Sequence, residues 1–119
     1  MTPGKFNLDL YRGDSYAWRF ILWADDAQTV PVDLTGATVA AEIRDKSAGT
    51  HIVDLDVVVT QPNIVDVAMT PTMYDTCPSK GVWDLQVAFA DGQVHTPVAG
   101  AVTVTPDVTD SVVMPVRAR

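Results

Sequence analysis

The chain has 119 residues, a formal net charge of −7 and a hydrophobic content of 47%. A chain of this length makes one domain that buries about two-thirds of the surface exposed by its unfolded form, so it can fold without disulfides or a structural metal. The hydrophobic content argues against intrinsic disorder. The acidic excess, without a cluster of basic residues, disfavours binding to nucleic acid or to an anionic membrane surface.

Alternation of apolar and polar residues predicts strands in the first part of the chain. A short strand over residues 6–11 is followed by a turn at Arg12-Gly13-Asp14, since Gly and Asp tolerate the conformations that tight turns need. A longer strand is predicted over residues 15–23. Its even positions form one apolar face: Tyr16, Trp18, Phe20 and Leu22.

The most informative segment covers residues 32–44, with the sequence VDLTGATVAAEIR. Its Asp-Leu-Thr-Gly turn leads into a strand with Val39, Ala41 and Ile43 on one face and Ala40, Glu42 and Arg44 on the other. One apolar and one polar face is typical of a strand that is buried on one side only. The segment carries no catalytic residue, so it predicts a surface rather than a site of chemistry.

The central part of the chain predicts two further strands and a crossover. Residues 51–60 are predicted as one strand, and residues 64–70 as the next, separated by a break at Gln61-Pro62-Asn63. The inward positions of the first are Val53, Leu55, Val57 and Val59. Residues 71–79 lack alternation and hold two prolines, which favours a helical turn or an irregular crossover between two sheets.

The clearest hairpin follows in residues 81–105. The pair Asp91-Gly92 predicts a two-residue type I′ turn, which fixes the register of the two strands. Pro97 has no N–H to give to the ladder, so we expect a bulge beside it. The predicted partners are Phe89 with Val94, Leu85 with Val98, and Trp83 with Gly100.

Together these elements predict an all-β protein, an Ig-like antiparallel β-sandwich of seven or eight strands with an extended C-terminal arm. The sandwich domain is assigned to residues 1–109 and the arm to residues 110–119. The arm carries an apolar cluster where a free terminus is usually polar, and we expect these residues to contact a partner: Val112, Val113, Met114 and Val116.

The aromatic residues divide into a core set and one candidate for partner contact. Five lie on predicted inward faces and are expected to fill the core: Tyr16, Trp18, Phe20, Trp83 and Phe89. Trp23 lies on the other face at the end of its strand, beside the Asp25-Asp26 loop. We therefore predict that Trp23 contacts a partner. The alternative is that it covers the open end of the sandwich.

The sequence predicts no enzyme. His51 and His95 are the only histidines, and no recognisable nucleophile motif surrounds Cys77 or any serine. With no second cysteine for a disulfide, Cys77 is expected to be a small apolar filler. No glycine-rich loop precedes a helix, so no phosphate-binding cofactor is predicted.

Metal binding and adhesion are weaker alternatives. Three aspartate pairs could offer oxygen ligands to calcium, although a solvated strand face has the same pattern, and we predict no metal. These pairs are Asp25 with Asp26, Asp54 with Asp56, and Asp107 with Asp110. The tripeptide Arg12-Gly13-Asp14 matches the one that integrins bind, but its turn chemistry already explains the Gly and the Asp.

Residues 1–5 are not followed by an apolar signal-peptide core, and no apolar run is long enough to cross a bilayer. We therefore expect synthesis in a cytoplasm and no membrane partner.

The order of the motifs resembles a known family. The first half has Arg12-Gly13-Asp14 before an aromatic strand, then VDLTGAT at residues 32–38 and Ile43-Arg44. The second half has GVWDLQV at residues 81–87, Asp91-Gly92, Thr96, GAVTV at residues 100–104, and Asp107-Val108-Thr109. In order and spacing these are similar to the LtfC-like sandwich proteins and related minor tail proteins of tailed bacteriophages, over residues 8–110.

The resemblance implies an Ig-like sandwich that assembles with copies of itself and with other phage virion proteins, without catalytic residues. It implies a minor tail component, at the tail tip, the collar or a fibre attachment, made in the host cytoplasm and located in the virion as a homo-oligomer. Two alternatives remain open: a capsid decoration protein of the head, and a module that binds carbohydrate or the host surface.

Overall fold

A computed structural model describes residues 4–46 and 51–106, which form two packed β-sheets. The described residues contain nine strands and one 3₁₀ helix. The strands are β1 (Gly4–Lys5), β2 (Leu8–Tyr11), β3 (Tyr16–Ile21), β4 (Thr38–Arg44), β5 (His51–Asp54), β6 (Asp56–Thr60), β7 (Ile64–Met69), β8 (Lys80–Ala88) and β9 (Val94–Thr105), and the 3₁₀ helix is Pro71–Thr76.

The larger sheet has the order β1-β9-β8-β4-β5, with β2 also paired to β9, and the smaller sheet has the order β3-β7-β6. The predicted all-β sandwich is confirmed. Its strands are not all antiparallel, however, because β1 and β2 both run parallel to β9. Residue alternation is the same in both kinds of ladder, so it could not show the direction of this pairing.

The core lies between the two sheets and is built by the predicted alternation. In β4, Ala41 and Ile43 are buried, and in β8, Trp83, Leu85 and Val87 are buried. Burying a large apolar side chain of this kind contributes about 2 kcal/mol. The other four aromatic residues assigned to the core are half-buried and pack against it: Tyr16, Trp18, Phe20 and Phe89.

The predicted single strand over residues 51–60 is wrong in one respect. The chain changes sheets at Leu55, so that β5 belongs to the larger sheet and β6 to the smaller. Leu55 is buried at this corner, and its N–H donates to the carbonyl of Ala41 at 2.9 Å. Its apolar face continues through the corner, so the alternation does not reveal the change of sheet.

The 3₁₀ helix carries the chain back from β7 to β8, so the crossover predicted between the sheets is confirmed. Cys77 follows the helix, and its N–H donates to the carbonyl of Tyr74 at 3.1 Å. The Cys77 side chain is buried, as predicted for an apolar filler, and this burial raises the pKa of its thiol.

The turn between β8 and β9 differs from the predicted type I′ turn. The N–H of Gly92 donates to Phe89 O at 3.0 Å, and Gly92 has a φ of +93°, so the loop is one residue longer than predicted. Ala88, rather than Phe89, therefore faces Val94. A second irregularity lies between Leu85 and Val87, in the region of Pro97 where a bulge was expected, and it restores the predicted pairs beyond it.

Gly100 faces Trp83, as predicted, and the backbone of the N-terminal segment fills the space above the glycine. A Cβ on Gly100 would lie 2.1 Å from the carbonyl oxygen of Phe6. That oxygen accepts a hydrogen bond from Trp83 Nε1 at 2.7 Å. The glycine therefore admits the N-terminal backbone, which satisfies the buried indole N–H.

Candidate functional site

Trp23 lies just beyond β3, where it forms an isolated bridge with Pro31. It is half-buried and lines a cleft of about 710 Å³ at one end of the sandwich. The cleft lies between the loop that follows β3 and the β8–β9 hairpin. Its lining residues include Phe20, Ile21, Trp23, Asp26, Gln28, Phe89, His95 and Pro97.

The loop that carries Trp23 is held by Asp25. The Asp25 carboxylate accepts hydrogen bonds from the N–H groups of Thr29, at 3.0 Å, and Val30, at 2.9 Å, and from the Thr29 hydroxyl. These bonds hold the pKa of Asp25 below its usual value, and the bond from the Thr29 hydroxyl makes the largest contribution. Asp25 therefore organises the loop, and the exposed side chains of Asp26 and Gln28 remain at the rim.

Phe89 and His95 bring the hairpin to the same cleft. Their rings meet edge to face, with centroids 5.6 Å apart and an interplanar angle of 69°. His95 Nε2 also lies 3.3 Å from Gln93 Oε1. The sequence placed Phe89 in the core and predicted no partner contact for His95, so it missed both as lining residues of the cleft. Both residues flank the Asp91-Gly92 turn. Their position near the end of a hairpin is the feature of the sequence that could have indicated a place at the end of the sandwich.

An ion pair neutralises the charge at the β3 side of the cleft. Arg19 donates from Nε and from one Nη to the two carboxylate oxygens of Asp66, at 2.8 and 3.2 Å. This pairing raises the pKa of Arg19 and lowers that of Asp66. Ile21, next on this face, is 51% exposed. The cleft therefore combines aromatic and apolar side chains with polar groups at its rim, a combination typical of binding sites.

Several predicted site residues lie outside the described part of the chain. They are the arm residues Val112, Val113, Met114 and Val116, the aspartates Asp107 and Asp110, and the side chain of His51. Asp54 and Asp56 are both exposed, on either side of the corner at Leu55. Among the described residues, no group of three or more His, Cys, Asp or Glu side chains is placed to hold a metal ion.

The Arg-Gly-Asp turn has a structural role. Arg12 donates from its two Nη atoms to the carbonyl oxygens of Tyr74, at 2.7 Å, and Cys77, at 3.1 Å. The Tyr74 hydroxyl donates to the carbonyl of Asp14 at 2.8 Å. Gly13 supplies the positive φ, 92°, that the turn needs. The tripeptide thus fastens the β2–β3 turn to the 3₁₀ crossover.

A row of carboxylates crosses the outer face of the larger sheet. Glu42 faces Asp84 on β8 and Asp54 on β5, and it accepts a hydrogen bond from Arg44 at 2.8 Å. Burial, followed by the charge of Glu42, raises the pKa of Asp84, and Arg44 opposes this effect. Like charges directly opposite each other destabilise a sheet, so ionised Asp84 weakens the fold.

We expect Asp84→Asn to stabilise the protein at pH 7 by about 0.5 kcal/mol, because it removes this repulsion on a partly solvated surface. A carboxyl group whose folded-state pKa is raised is destabilising above that pKa and neutral below its unfolded value, so the gain should vanish at pH 3. Urea unfolding at both pH values measures it. Asp26→Asn, which removes an exposed loop charge, is the control. Equal gains at the two pH values would contradict the explanation.

No family model matches the chain, and no curated protein matches it. Among solved structures, it is similar to a point mutant of the SrpA adhesin from Streptococcus sanguinis, with 15% identity and a TM-score of 0.49. The match covers 88% of this chain and 56% of the adhesin chain, so this chain spans little more than half of that protein's length. A likeness at this level carries no argument about function. No helix among the described residues is long and apolar enough to span a membrane.

Proposed function

We propose that this chain is a non-enzymatic structural protein of a tailed-phage virion, a minor tail component that acts through contacts between subunits. The order of its sequence motifs over residues 8–110 suggests the family, and the sandwich fold is compatible with it. The observation that carries the proposal is the cleft, where Trp23 from one loop and Phe89 and His95 from the hairpin line the same surface.

The cleft is suited to a protein partner because its aromatic residues are held in place before binding. Asp25 fixes the loop next to Trp23 through three hydrogen bonds, and the edge-to-face contact with His95 positions Phe89. A side chain that is already ordered loses little conformational entropy when a partner binds. Tryptophan in such a position is the residue type most often found to dominate an interface.

Three polar or reactive side chains have structural roles. Arg12 binds two carbonyls of the crossover, Asp25 holds its loop, and Cys77 is buried. The structural roles of these three side chains are compatible with a protein that acts through contacts, which supports a role in assembly.

The composition of the virion tests the proposal. Particles of the phage or prophage that carries the gene should contain this protein at a fixed copy number, measured by quantitative mass spectrometry after density-gradient purification. Deleting the gene should leave filled heads with defective tails in electron micrographs. Purified particles without the protein would overturn the proposal, and normal tails on unstable heads would indicate capsid decoration instead.

We expect Trp23→Ala to reduce incorporation into particles at least tenfold in a complementation assay, because loss of a central aromatic residue costs about 2 kcal/mol of binding free energy. Tyr11→Ala is the matched control, since Tyr11 is 54% exposed and pairs with Thr105, at the end of β9 that is remote from His95. Thermal unfolding of both variants verifies that the fold is retained. Equal incorporation of the two variants would exclude the cleft as the contact.

Binding of a carbohydrate or of the host surface is the second candidate, and the cleft itself favours it. The aromatic residues of the cleft lie near exposed polar side chains, Asp26 and Gln28 among them, an arrangement that also suits sugar rings. Titration calorimetry with a panel of neutral oligosaccharides tests this candidate. Saturable binding that Trp23→Ala abolishes, together with absence of the protein from particles, would favour it over the virion role.

A further inference from the structure

The outer edge of β6 is unpaired in the described part of the chain. β6 pairs with β7 along one side only and ends the smaller sheet. Its sequence is Asp-Val-Val-Val-Thr, and Val58 is 62% exposed, the largest value among the large hydrophobic residues that are exposed. Val57 and Val59 point inward, yet each is only half-buried. Apolar side chains and unpaired backbone groups therefore share one edge.

This edge has few of the features that usually prevent pairing with another strand. Residues 56–60 contain no lysine and no proline, and their ladder with β7 has no bulge. Natural edge strands normally carry at least one of these devices. Asp56 is the only charged residue of the strand, and it lies at one end.

The opposite edge of the same sheet is different. At β3, the Tyr16 hydroxyl accepts a hydrogen bond from the N–H of Tyr11 at 3.0 Å, and Phe20 meets Phe6 edge to face with centroids 5.5 Å apart. The N-terminal segment therefore contacts β3 near both of its ends. The residues that flank β6 are held by residues 34–41, since Leu55 N–H donates to Ala41 O at 2.9 Å and Leu34 N–H donates to Pro62 O at 3.0 Å. Among the described residues, however, no hydrogen bond reaches the outer edge of residues 56–60 themselves.

We propose that the β6 edge pairs with the β6 edge of a second copy of this chain, antiparallel, about a two-fold axis at Val58. This register is the one two-fold arrangement that pairs all five residues of the strand. It places Val58 opposite Val58 of the partner subunit and Val57 opposite Val59 of the partner subunit. It also places Asp56 opposite Thr60 of the partner subunit, so the two carboxylates do not face each other.

The pairing joins two three-stranded sheets into one continuous sheet of six strands. It satisfies the unpaired backbone groups and covers the half-buried faces of Val57 and Val59. Five residues a side bury far less than the roughly 800 Å² per partner of a standard interface, so the dimer forms weakly and exchanges quickly. Each copy carries a net charge of −7, and added salt therefore strengthens the association by screening this repulsion.

Light scattering over a wide range of protein concentrations gives the first test. The mean mass rises from 12.8 kDa towards twice that value, and more steeply in high salt. Val58→Lys weakens the association at least tenfold. Val94→Lys, with the same change of charge at a residue that is 53% exposed on β9, leaves it unchanged. A mass that stays monomeric at millimolar concentration, or equal effects of the two variants, would overturn the proposal.

Cysteine cross-linking tests the register. Val58→Cys forms a disulfide-linked dimer under mild oxidation, because directly opposed residues have the Cβ separation that a disulfide accepts. Asp56→Cys alone does not, since its two copies lie four residues apart along the strands, about 13 Å. A mixture of the Asp56→Cys and Thr60→Cys variants does form a cross-linked dimer, because these two positions face each other in the proposed register. The native Cys77 is buried and contributes no background. Efficient cross-linking of Asp56→Cys alone would rule out this register.

The chain's own residues 110–119 are the competing occupant of the β6 edge. A chain truncated after Thr109 dimerises as the full chain does if two β6 edges pair with each other. Loss of the dimer on truncation would show that the C-terminal segment of one copy joins it to the other, and would overturn the proposal. A dimer that forms only after truncation would also overturn it, because the segment would then cover the edge in the full chain. The self-pairing does not depend on the virion role. The protein can be absent from particles and still form the dimer in this register, and it can be present in particles without forming the dimer.

Discussion

Gly100→Ala is expected to lower the free energy of unfolding by about 3 kcal/mol, since it forces a methyl group into a filled space and breaks a buried hydrogen bond. The new Cβ would lie 2.1 Å from Phe6 O, which is backbone and can move only with the whole N-terminal segment. Moving it would also remove the acceptor of the Trp83 indole N–H. Chemical denaturation, followed by tryptophan fluorescence, measures the loss.

Gly4→Ala provides the control in the same pair of strands. A Cβ on Gly4 would lie 3.5 Å from Pro97 O, an ordinary contact, so that substitution should change stability little. Equal losses for the two glycines would show that reduced backbone freedom, and not the contact with Phe6, explains the effect. The difference in stability between the two variants therefore measures the effect of the close approach between Phe6 and Gly100.

Arg12→Met is expected to lower the free energy of unfolding by about 2 kcal/mol, because hydrogen bonds to charged groups are among the strongest in proteins. The substitution leaves the carbonyls of Tyr74 and Cys77 without their guanidinium donor. Both carbonyls belong to the crossover between the two sheets, so the loss should also increase amide hydrogen exchange in residues 71–77. Urea unfolding and hydrogen-exchange mass spectrometry measure the two effects.

Arg19→Met removes the same chemical group at a different site. Arg19 makes a two-point ion pair with Asp66, but its side chain is 61% exposed, and surface ion pairs contribute little. A much smaller loss is therefore expected, without a change of exchange in the crossover. If Arg19→Met proved as damaging as Arg12→Met, the structural role assigned to the Arg-Gly-Asp turn would be wrong.

This role bears on function because it accounts for the tripeptide without an adhesive partner. The guanidinium of Arg12 is engaged by two carbonyls, and the backbone of Asp14 is held by the Tyr74 hydroxyl. The candidate surfaces are elsewhere: the cleft beside Trp23 and the edge of β6. Each is tested by variants on its own surface, so the two can be separated experimentally.

The partner contact proposed for Trp23 illustrates how far residue patterns reach. Its place on the outer face at a strand end set it apart in the sequence, and the structure places it in a cleft with Phe89 and His95. More than sixty residues separate Trp23 from these two, and no local pattern links them. The cleft exists because the two sheets pack so that the β3 loop and the hairpin meet at one end.

The sequence by itself determined most of the strands, the faces they bury and the all-β sandwich, because alternation with a period of two is a local property. The pairing of Trp83 with Gly100 was predicted from a two-residue turn at Asp91-Gly92, and it holds because the longer loop and the irregularity near Pro97 offset each other. Only the tertiary structure decided the parallel pairing of β1 and β2 with β9, the change of sheet at Leu55 and the walls of the cleft. These features depend on contacts between distant segments, whose geometry is set by the packing of the whole chain.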